Sequence, residues 1–224
     1  MLRQDYFLRL VEKFAQMLMQ IRERIQLEQY ADAEVRLDEA FRQLLGLGPD
    51  KISELTEAEL LARLTMDGPT HALKEKTHVL VALLQEAGLI RAAQGRDAAS
   101  HACWLQALNL LVALQLQDAE GEFPEFVPTI DLLREQLRET PLPLPTLAAL
   151  WRHYERIGAF ARAEDALFAL LDAQPDNRDL RTEARAFYER LLCLGDASLL
   201  EGNLPRAEVE AGLSALPAAN DPMA

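Results

Sequence analysis

Apolar residues recur three and four positions apart along this chain, and that spacing limits its fold more than any other feature of the sequence. In the first segment they fall at Phe7, Leu10, Val11, Phe14, Leu18, Ile21 and Ile25. Such spacing places them on one face of an α-helix. No run of alternating apolar and polar residues, the pattern of a half-buried strand, occurs anywhere in the sequence. The sequence therefore predicts an all-α protein.

The first predicted helix, from residue 2 to about residue 27, has a wider apolar surface than one neighbouring helix would cover. Its additional apolar residues are Tyr6, Leu8, Ala15, Met17 and Met19. One interpretation is a helix that packs against neighbours on two sides. The other is a homodimer surface formed by Tyr6, Met17 and Met19. The sequence leaves both interpretations open.

Glycine, proline and a capping pattern mark the next two helices. A second helix runs from about Tyr30 to residues 46–49 (GLGP), where glycine permits a left-handed cap and proline bars continuation. A short third helix begins with Thr56 and Glu59 in a capping-box arrangement and ends near residues 67–69 (DGP). The N-terminal part of the chain is therefore predicted to form helical hairpins.

More helices follow by the same reasoning. Two of them span about residues 70–116, with a turn near residues 94–97 (QGRD), and another spans about residues 128–139. Four more helices are predicted after that. The first ends at residue 157, the second follows Gly158 and runs to residue 173, the third spans residues 178–194, and the last follows residues 203–205 (NLP).

A proline-rich segment divides the chain. Residues 141–145 (PLPLP) are predicted to be extended, because each proline disfavours helical geometry in the residue before it. We therefore predict N-terminal helical hairpins in residues 1–139, a connector at residues 140–145 and C-terminal hairpins in residues 146–224. The two sets of hairpins are expected to pack as one continuous unit.

Residues 144–177 resemble a tetratricopeptide repeat, a pair of antiparallel helices that cross at a small residue. The matching positions are Tyr154, Gly158, Phe160, Ala163 and Pro175, while Trp151 and Leu170 depart from the pattern. Weaker copies place the crossing residues at Ala33, Ser100, Ala163 and Ala207, which are 67, 63 and 44 positions apart. Because these steps are unequal, the resemblance implies stacked antiparallel helical hairpins in a short, irregular solenoid with inserted helices.

The two ends of the chain also resemble an uncharacterised family of bacterial tetratricopeptide-like proteins. The residues that carry this likeness are 4–6 (QDY) and 202–205 (GNLP). The resemblance implies a fold and no activity.

The sequence contains no P-loop, dinucleotide-binding glycine loop, nucleophile elbow, HExxH or CxxC motif. His71 and His78 are separated by about 10.5 Å of helix rise, too far to share a metal. Glu75 and His78 form one Glu-x-x-His pair, whereas a di-metal bundle needs two. The acidic run 118–125 lacks the glycine and glutamate of a calcium loop. We therefore predict no catalytic residue, no metal and no cofactor.

The charge of the chain limits the classes of partner that the sequence favours, and its cysteines indicate a cellular compartment. The chain has 23 Lys and Arg against 36 Asp and Glu, a net charge of −13, which disfavours nucleic acid and anionic membranes. Cys103 and Cys193 lie in apolar helical patterns, as reduced intracellular cysteines do. Residues 1–14 lack the apolar run of a signal peptide, and no segment is long and apolar enough to span a bilayer. We therefore expect a cytoplasmic protein.

The tetratricopeptide resemblance also implies a ligand groove, lined by the first helix of each hairpin. It places Arg22, Gln85, Arg152, Glu155 and Arg156 in that groove. Arg152 and Arg156 are four residues apart, so their guanidinium groups can together bind an acidic side chain or a C-terminal carboxylate. The alternative is that both arginines pair with Glu155 and other acids on a solvated face.

Three classes of function follow from these features. A non-catalytic adaptor that binds a protein or peptide is favoured, because stacked hairpins present extended concave surfaces. A structural protein that associates with itself, as a homodimer or larger oligomer, is the second class. An enzyme is not expected, since the sequence offers no triad, metal cluster or phosphate loop.

Overall fold

The computed structural model of the chain describes residues 2–52, 55–66, 73–117 and 123–216, and these residues form helices and no strand. The all-α prediction is therefore confirmed. The helices are α1 (Leu2–Gln26), α2 (Tyr30–Leu45), α3 (Pro49–Ile52), α4 (Glu57–Met66), α5 (Leu73–Ala93), α6 (Asp97–Gln117), α7 (Ile130–Gln136), α8 (Leu144–Arg156), α9 (Phe160–Ala173), α10 (Arg178–Leu192), α11 (Asp196–Glu201) and α12 (Arg206–Ala215).

The helices form two compact units, unit 1 (Met1–Pro141) and unit 2 (Leu142–Ala224). The boundary falls inside the proline-rich segment that the sequence marks as a connector. Within each unit, helices that follow one another along the chain pack as pairs: α1 with α2, α5 with α6 and α8 with α9. Each such pair buries an apolar face that neither helix could cover alone.

In unit 1 the central helix is α5. It packs against α1, α2, α4 and α6, and every residue from Lys76 to Gly88 is buried. A helix that is apolar around most of its circumference needs neighbours on all sides, which explains why four helices surround this one. The core of unit 1 is therefore built around α5.

Several predicted helix ends are confirmed. The α2 helix ends at Gly46, which has φ +70° and donates its N–H to the carbonyl of Arg42 at 2.9 Å. At the start of α4, the backbone N–H of Thr56 donates to the Glu59 carboxylate at 2.8 Å, and the Glu59 N–H donates to the Thr56 hydroxyl at 3.3 Å. These bonds complete the predicted capping box, and the bond from the Thr56 backbone lowers the pKa of Glu59.

Other predicted boundaries were wrong. The α8 helix begins at Leu144 and contains Pro145, whereas residues 141–145 were predicted to be extended. Proline fits there because the first turn of a helix makes no intrahelical bond through its N–H groups. The α7 helix is shorter than predicted, since the Thr129 side chain caps it by accepting a hydrogen bond from the N–H of Leu132. The short helices α3 and α11 were not predicted, and the predicted end at residues 67–69 lies outside the described residues.

The residues predicted at the helix crossings differ in their burial. Ala33, Ser100 and Ala163 are buried, as crossing residues must be, but Ala207 is exposed. The close approach in that part of unit 2 is made by Gly202, whose carbonyl accepts a hydrogen bond from the N–H of Ala161 at 3.0 Å. A Cβ atom on Gly202 would overlap the ring of Phe160. The small residue needed for contact is thus five positions earlier than predicted, in the turn after α11.

Gly88 supplies a test of how α5 and α6 pack. A Cβ atom at this position would overlap the indole of Trp104, which is buried on α6. Although alanine is a better helix former by about 1 kcal/mol, we expect Gly88→Ala to lower the free energy of unfolding by about 1–3 kcal/mol through overpacking. Urea unfolding followed by circular dichroism measures the change. In a Trp104→Leu background the same substitution should cost less, because the overlapping ring is gone; an equal cost in both backgrounds would contradict the assigned contact.

Candidate functional site

The most informative surface of unit 2 is the face where α8 meets α10. The rings of Trp151 on α8 and Phe187 on α10 pack edge to face, with centroids 6.0 Å apart. Both side chains are buried. One helical turn further along each helix, Glu155 and Arg190 also meet. From the first contact to the second, the residue numbers increase on both helices, so α8 and α10 run parallel.

The contact between Glu155 and Arg190 is a two-point ion pair. The Arg190 Nε donates to Glu155 Oε1 at 2.7 Å, and its Nη2 donates to Oε2 at 3.0 Å. The hydrogen bond with Glu155 raises the pKa of Arg190. The Glu155 side chain is 22% exposed and that of Arg190 is 51% exposed, so the pair lies at the rim of the helix contact. Its fork geometry fixes the lateral position of α8 against α10.

The same three residues occur at equivalent places on these two helices. Residues 154–156 on α8 and 188–190 on α10 both read Tyr-Glu-Arg, and the copies are 34 positions apart. The ion pair joins the glutamate of the first copy to the arginine of the second. Sequence reasoning missed Phe187 and Arg190, although this repeated tripeptide was a signal that could have found them.

Three of the predicted groove residues lie on α8. Arg152 and Arg156 are exposed, and both oxygens of Glu155 are engaged by Arg190. The two arginines are four positions apart on the helix, so their side chains emerge on one face. This face therefore presents two guanidinium groups next to a carboxylate that is already paired.

Charge is unevenly distributed among the helices of unit 2. Together, α8 and α10 carry six Arg against four Asp and Glu, whereas α9, α11 and α12 carry two Arg against seven Asp and Glu. In a chain with a net charge of −13, the pair α8 and α10 is thus locally basic. An acidic group that approaches unit 2 meets its complement on these two helices.

The other two predicted groove residues, Arg22 and Gln85, belong to unit 1. Gln85 is 3% exposed on the central helix α5 and lies inside the core of that unit. Arg22 on α1 is 40% exposed, donates from Nε to Glu86 Oε1 at 2.6 Å, and donates from Nη2 to the carbonyl of Phe126 at 3.0 Å. Both residues therefore take part in contacts inside unit 1.

Two residues of the predicted dimer surface, Met17 and Met19, lie on different sides of α1. Met17 is half-buried and Met19 is 70% exposed. Residues two apart on an α-helix point about 200° apart, so these two side chains lie on different sides of α1. The side chain of Tyr6 lies outside the described residues.

No cluster of three or more His, Cys, Asp or Glu residues that could hold a metal occurs in the described parts of the chain. His78 is buried with its ring 4.9 Å from that of Phe123, and His101 Nδ1 is 3.1 Å from the Thr140 hydroxyl. His71 and most of the acidic run, residues 118–122, lie outside the described residues. The helices in the described ranges are all too short or too polar to cross a membrane.

The fold and this surface define an all-α protein of paired helices with an arginine-bearing helix face. The chain belongs to a family of unknown function, DUF6483, whose profile matches residues 1–220. This match confirms the predicted resemblance to a family of uncharacterised proteins. No curated protein and no solved structure matches the chain.

The Glu155–Arg190 pair yields a prediction about the α8–α10 contact. In a double-mutant cycle with Glu155→Gln and Arg190→Gln, we expect a coupling energy of about 0.5–1 kcal/mol, since the pair is partly exposed but bonded at two points. Thermal and urea unfolding measure the four free energies. The coupling energy should decrease when the ionic strength is raised from about 0.05 M to about 0.5 M, because salt screens the attraction between the two charges. A coupling of zero at low salt would mean that the two helices do not meet through this pair.

Proposed function

We propose that the chain is a non-catalytic adaptor of tetratricopeptide-like type that binds a protein or peptide partner in the cytoplasm. The parallel helices α8 and α10 would be the first helices of successive hairpins, and their shared face would be the ligand surface. The observation that carries this proposal is the exposed pair Arg152 and Arg156 beside a glutamate that is already bonded to Arg190.

The repeat spacing supports the tetratricopeptide-like assignment. The Tyr-Glu-Arg copies are 34 positions apart, which is the length of one tetratricopeptide repeat. The turn between α8 and α9 contains Gly158 with φ +77°, and Ala163 is buried in α9, both at positions that the repeat pattern assigns. In this assignment, α8 and α9 form one hairpin, and α10 with α12 form the next.

The chemistry of the arginine pair supports an acidic ligand. Two guanidinium groups on one helix face can bind a carboxylate through paired N–H donors, and each such bond is stronger than a bond between neutral groups. Both oxygens of Glu155 accept from Arg190, which occupies two of the acceptor positions of this carboxylate. The partner group would be an acidic side chain or a C-terminal carboxylate.

A peptide-binding measurement tests this function. The probes are fluorescein-labelled acidic decapeptides with a free C-terminal carboxylate, and the same peptides with an amidated C-terminus. We expect binding at low ionic strength despite the net charge of −13, and at least a tenfold loss of affinity, about 1.4 kcal/mol, in the double variant Arg152→Glu, Arg156→Glu. Fluorescence anisotropy measures it. A weaker affinity for the amidated peptides would identify the C-terminus as the bound group.

The matched control for that measurement lies in unit 1. The double variant Arg42→Glu, Arg138→Glu changes the net charge by the same amount at two exposed positions, and should bind as the unaltered chain does. Equal losses in the two double variants would indicate an effect of net charge alone. The same affinity before and after the change at Arg152 and Arg156 would remove these residues from the ligand surface.

Self-association is the second candidate function, and the exposure of Met19 is the observation that favours it. A methionine that projects from α1 offers an apolar contact to another copy of the chain. If this is its role, light scattering should give a molecular mass that rises with protein concentration, and Met19→Lys should keep the chain monomeric. A monomer at every concentration would count against self-association and leave the adaptor as the remaining proposal.

A further inference from the structure

A row of polar residues runs along one side of the central helix α5. It consists of Glu75, His78, Gln85 and Glu86, which we call the polar row. At 100° per residue, these four positions lie within about 100° of one another around the helix axis. Glu75 is half-buried and the other three are buried. Polar groups placed in an otherwise apolar core raise the free energy of the folded state unless they are hydrogen-bonded.

The hydrogen bonding of the polar row is incomplete. The Oε1 of Gln85 and the Oε2 of Glu75 are buried without a hydrogen-bond partner among the described residues. Most buried polar atoms in proteins are paired with protein or water. Water that reached these two acceptors would donate hydrogen bonds to them and would thereby lower the free energy of the folded chain.

The segment 123–129, which we call the strap, contacts this row at His78. At one end, the ring of Phe123 packs against the ring of His78 with centroids 4.9 Å apart. Further along, Val127 and Pro128 are buried. The carbonyl of Phe126 accepts the hydrogen bond from Arg22. The strap thus contacts His78 directly and is linked through Arg22 to Glu86, eight residues further along α5.

Arg22 is the side chain that joins the strap to the polar row. From α1, its Nε donates to Glu86 at 2.6 Å and its Nη2 donates to the Phe126 carbonyl at 3.0 Å. One guanidinium group therefore joins three parts of unit 1, namely α1, α5 and the strap. Removing it would leave a buried carboxylate and a strap carbonyl without these bonds at the same time.

We propose that the strap is a lid over the polar row, that Arg22 is the latch that holds it closed, and that release of this latch admits water to the carboxylate of Glu86. The motion would be local, since the ring of Phe123 and the guanidinium of Arg22 hold the strap to the polar row, whereas α5 is enclosed by four helices. Segments with few contacts open more easily than the core of the same unit.

The charge of Glu86 sets the direction of the pH dependence. Burial raises the pKa of Glu86, and Arg22 lowers it again only in part. Arg22 is the one charged group of the described residues that acts on this pKa; Glu23 on α1 and Glu125 in the strap are exposed. Opening would hydrate Glu86 and return its pKa toward the ordinary value. Because protons favour the state with the higher pKa, low pH favours the closed strap and high pH favours opening.

Amide hydrogen exchange on the full chain tests the latch. In Arg22→Gln at pH 7, protection factors of the strap amides should fall at least tenfold, while those of α5 stay within threefold of the unaltered chain. At about pH 5 the loss should become smaller, since a larger fraction of Glu86 is protonated there and gains less from reaching water. The two pH values are estimates of a working range for the measurement. Glu86→Gln should keep the strap as protected as in the unaltered chain, and should reduce the effect of Arg22→Gln when the two are combined.

The control is Arg138→Gln, which removes an exposed ion pair with Glu135 from the same unit and should leave the strap unchanged. Strap protection that is unaffected by Arg22→Gln would overturn the proposal. An equal loss of protection in the strap and in α5 would overturn it too, because Arg22 would then stabilise unit 1 as a whole. If Arg22→Gln does not fold, the pH dependence of strap protection in the unaltered chain decides, and a fall in protection toward low pH would be the contrary result.

Discussion

The burial of α5 on all sides is the constraint on which the rest of unit 1 depends. A helix whose residues 76–88 are all buried needs packing partners around its whole circumference, and α1, α2, α4 and α6 supply them. That demand explains the close contact at Gly88, where a larger residue would push α6 away. It also explains why the polar residues of α5 must find their partners inside the unit, as Glu86 does with Arg22.

Local patterns in the sequence predicted most of the helices and several of their ends correctly, because these depend on neighbouring residues. Gly46 ends α2, and Thr56 with Glu59 begins α4, through hydrogen bonds that span three or four residues. The arginines of α8 were singled out by the tetratricopeptide resemblance together with their spacing, and both are exposed. Non-local contacts were not predictable in this way. The burial of Gln85 depends on four surrounding helices, and the crossing at Gly202 depends on where Phe160 lies in space.

The polar side chains of the two units have different roles. In unit 1, Arg22, whose side chain is 40% exposed, bonds the buried Glu86 and joins α1 to α5. In unit 2, the ion pair of Glu155 and Arg190 lies at the rim of a helix contact, with more arginines beside it. The charged pair of unit 1 thus stabilises a contact between two helices, whereas the charged residues of unit 2 also determine the chemistry of its surface.

The pairing of Glu155 with Arg190 has a consequence for how such a chain can grow. Each Tyr-Glu-Arg copy carries one acceptor and one donor, and the bond runs from the earlier copy to the later one. A duplicated hairpin inserted between α9 and α10 would therefore bring an arginine for Glu155 and a glutamate for Arg190. Gain of a whole hairpin would therefore keep these ion pairs in register, and this unit could lengthen without a change in the chemistry of the contact between successive hairpins.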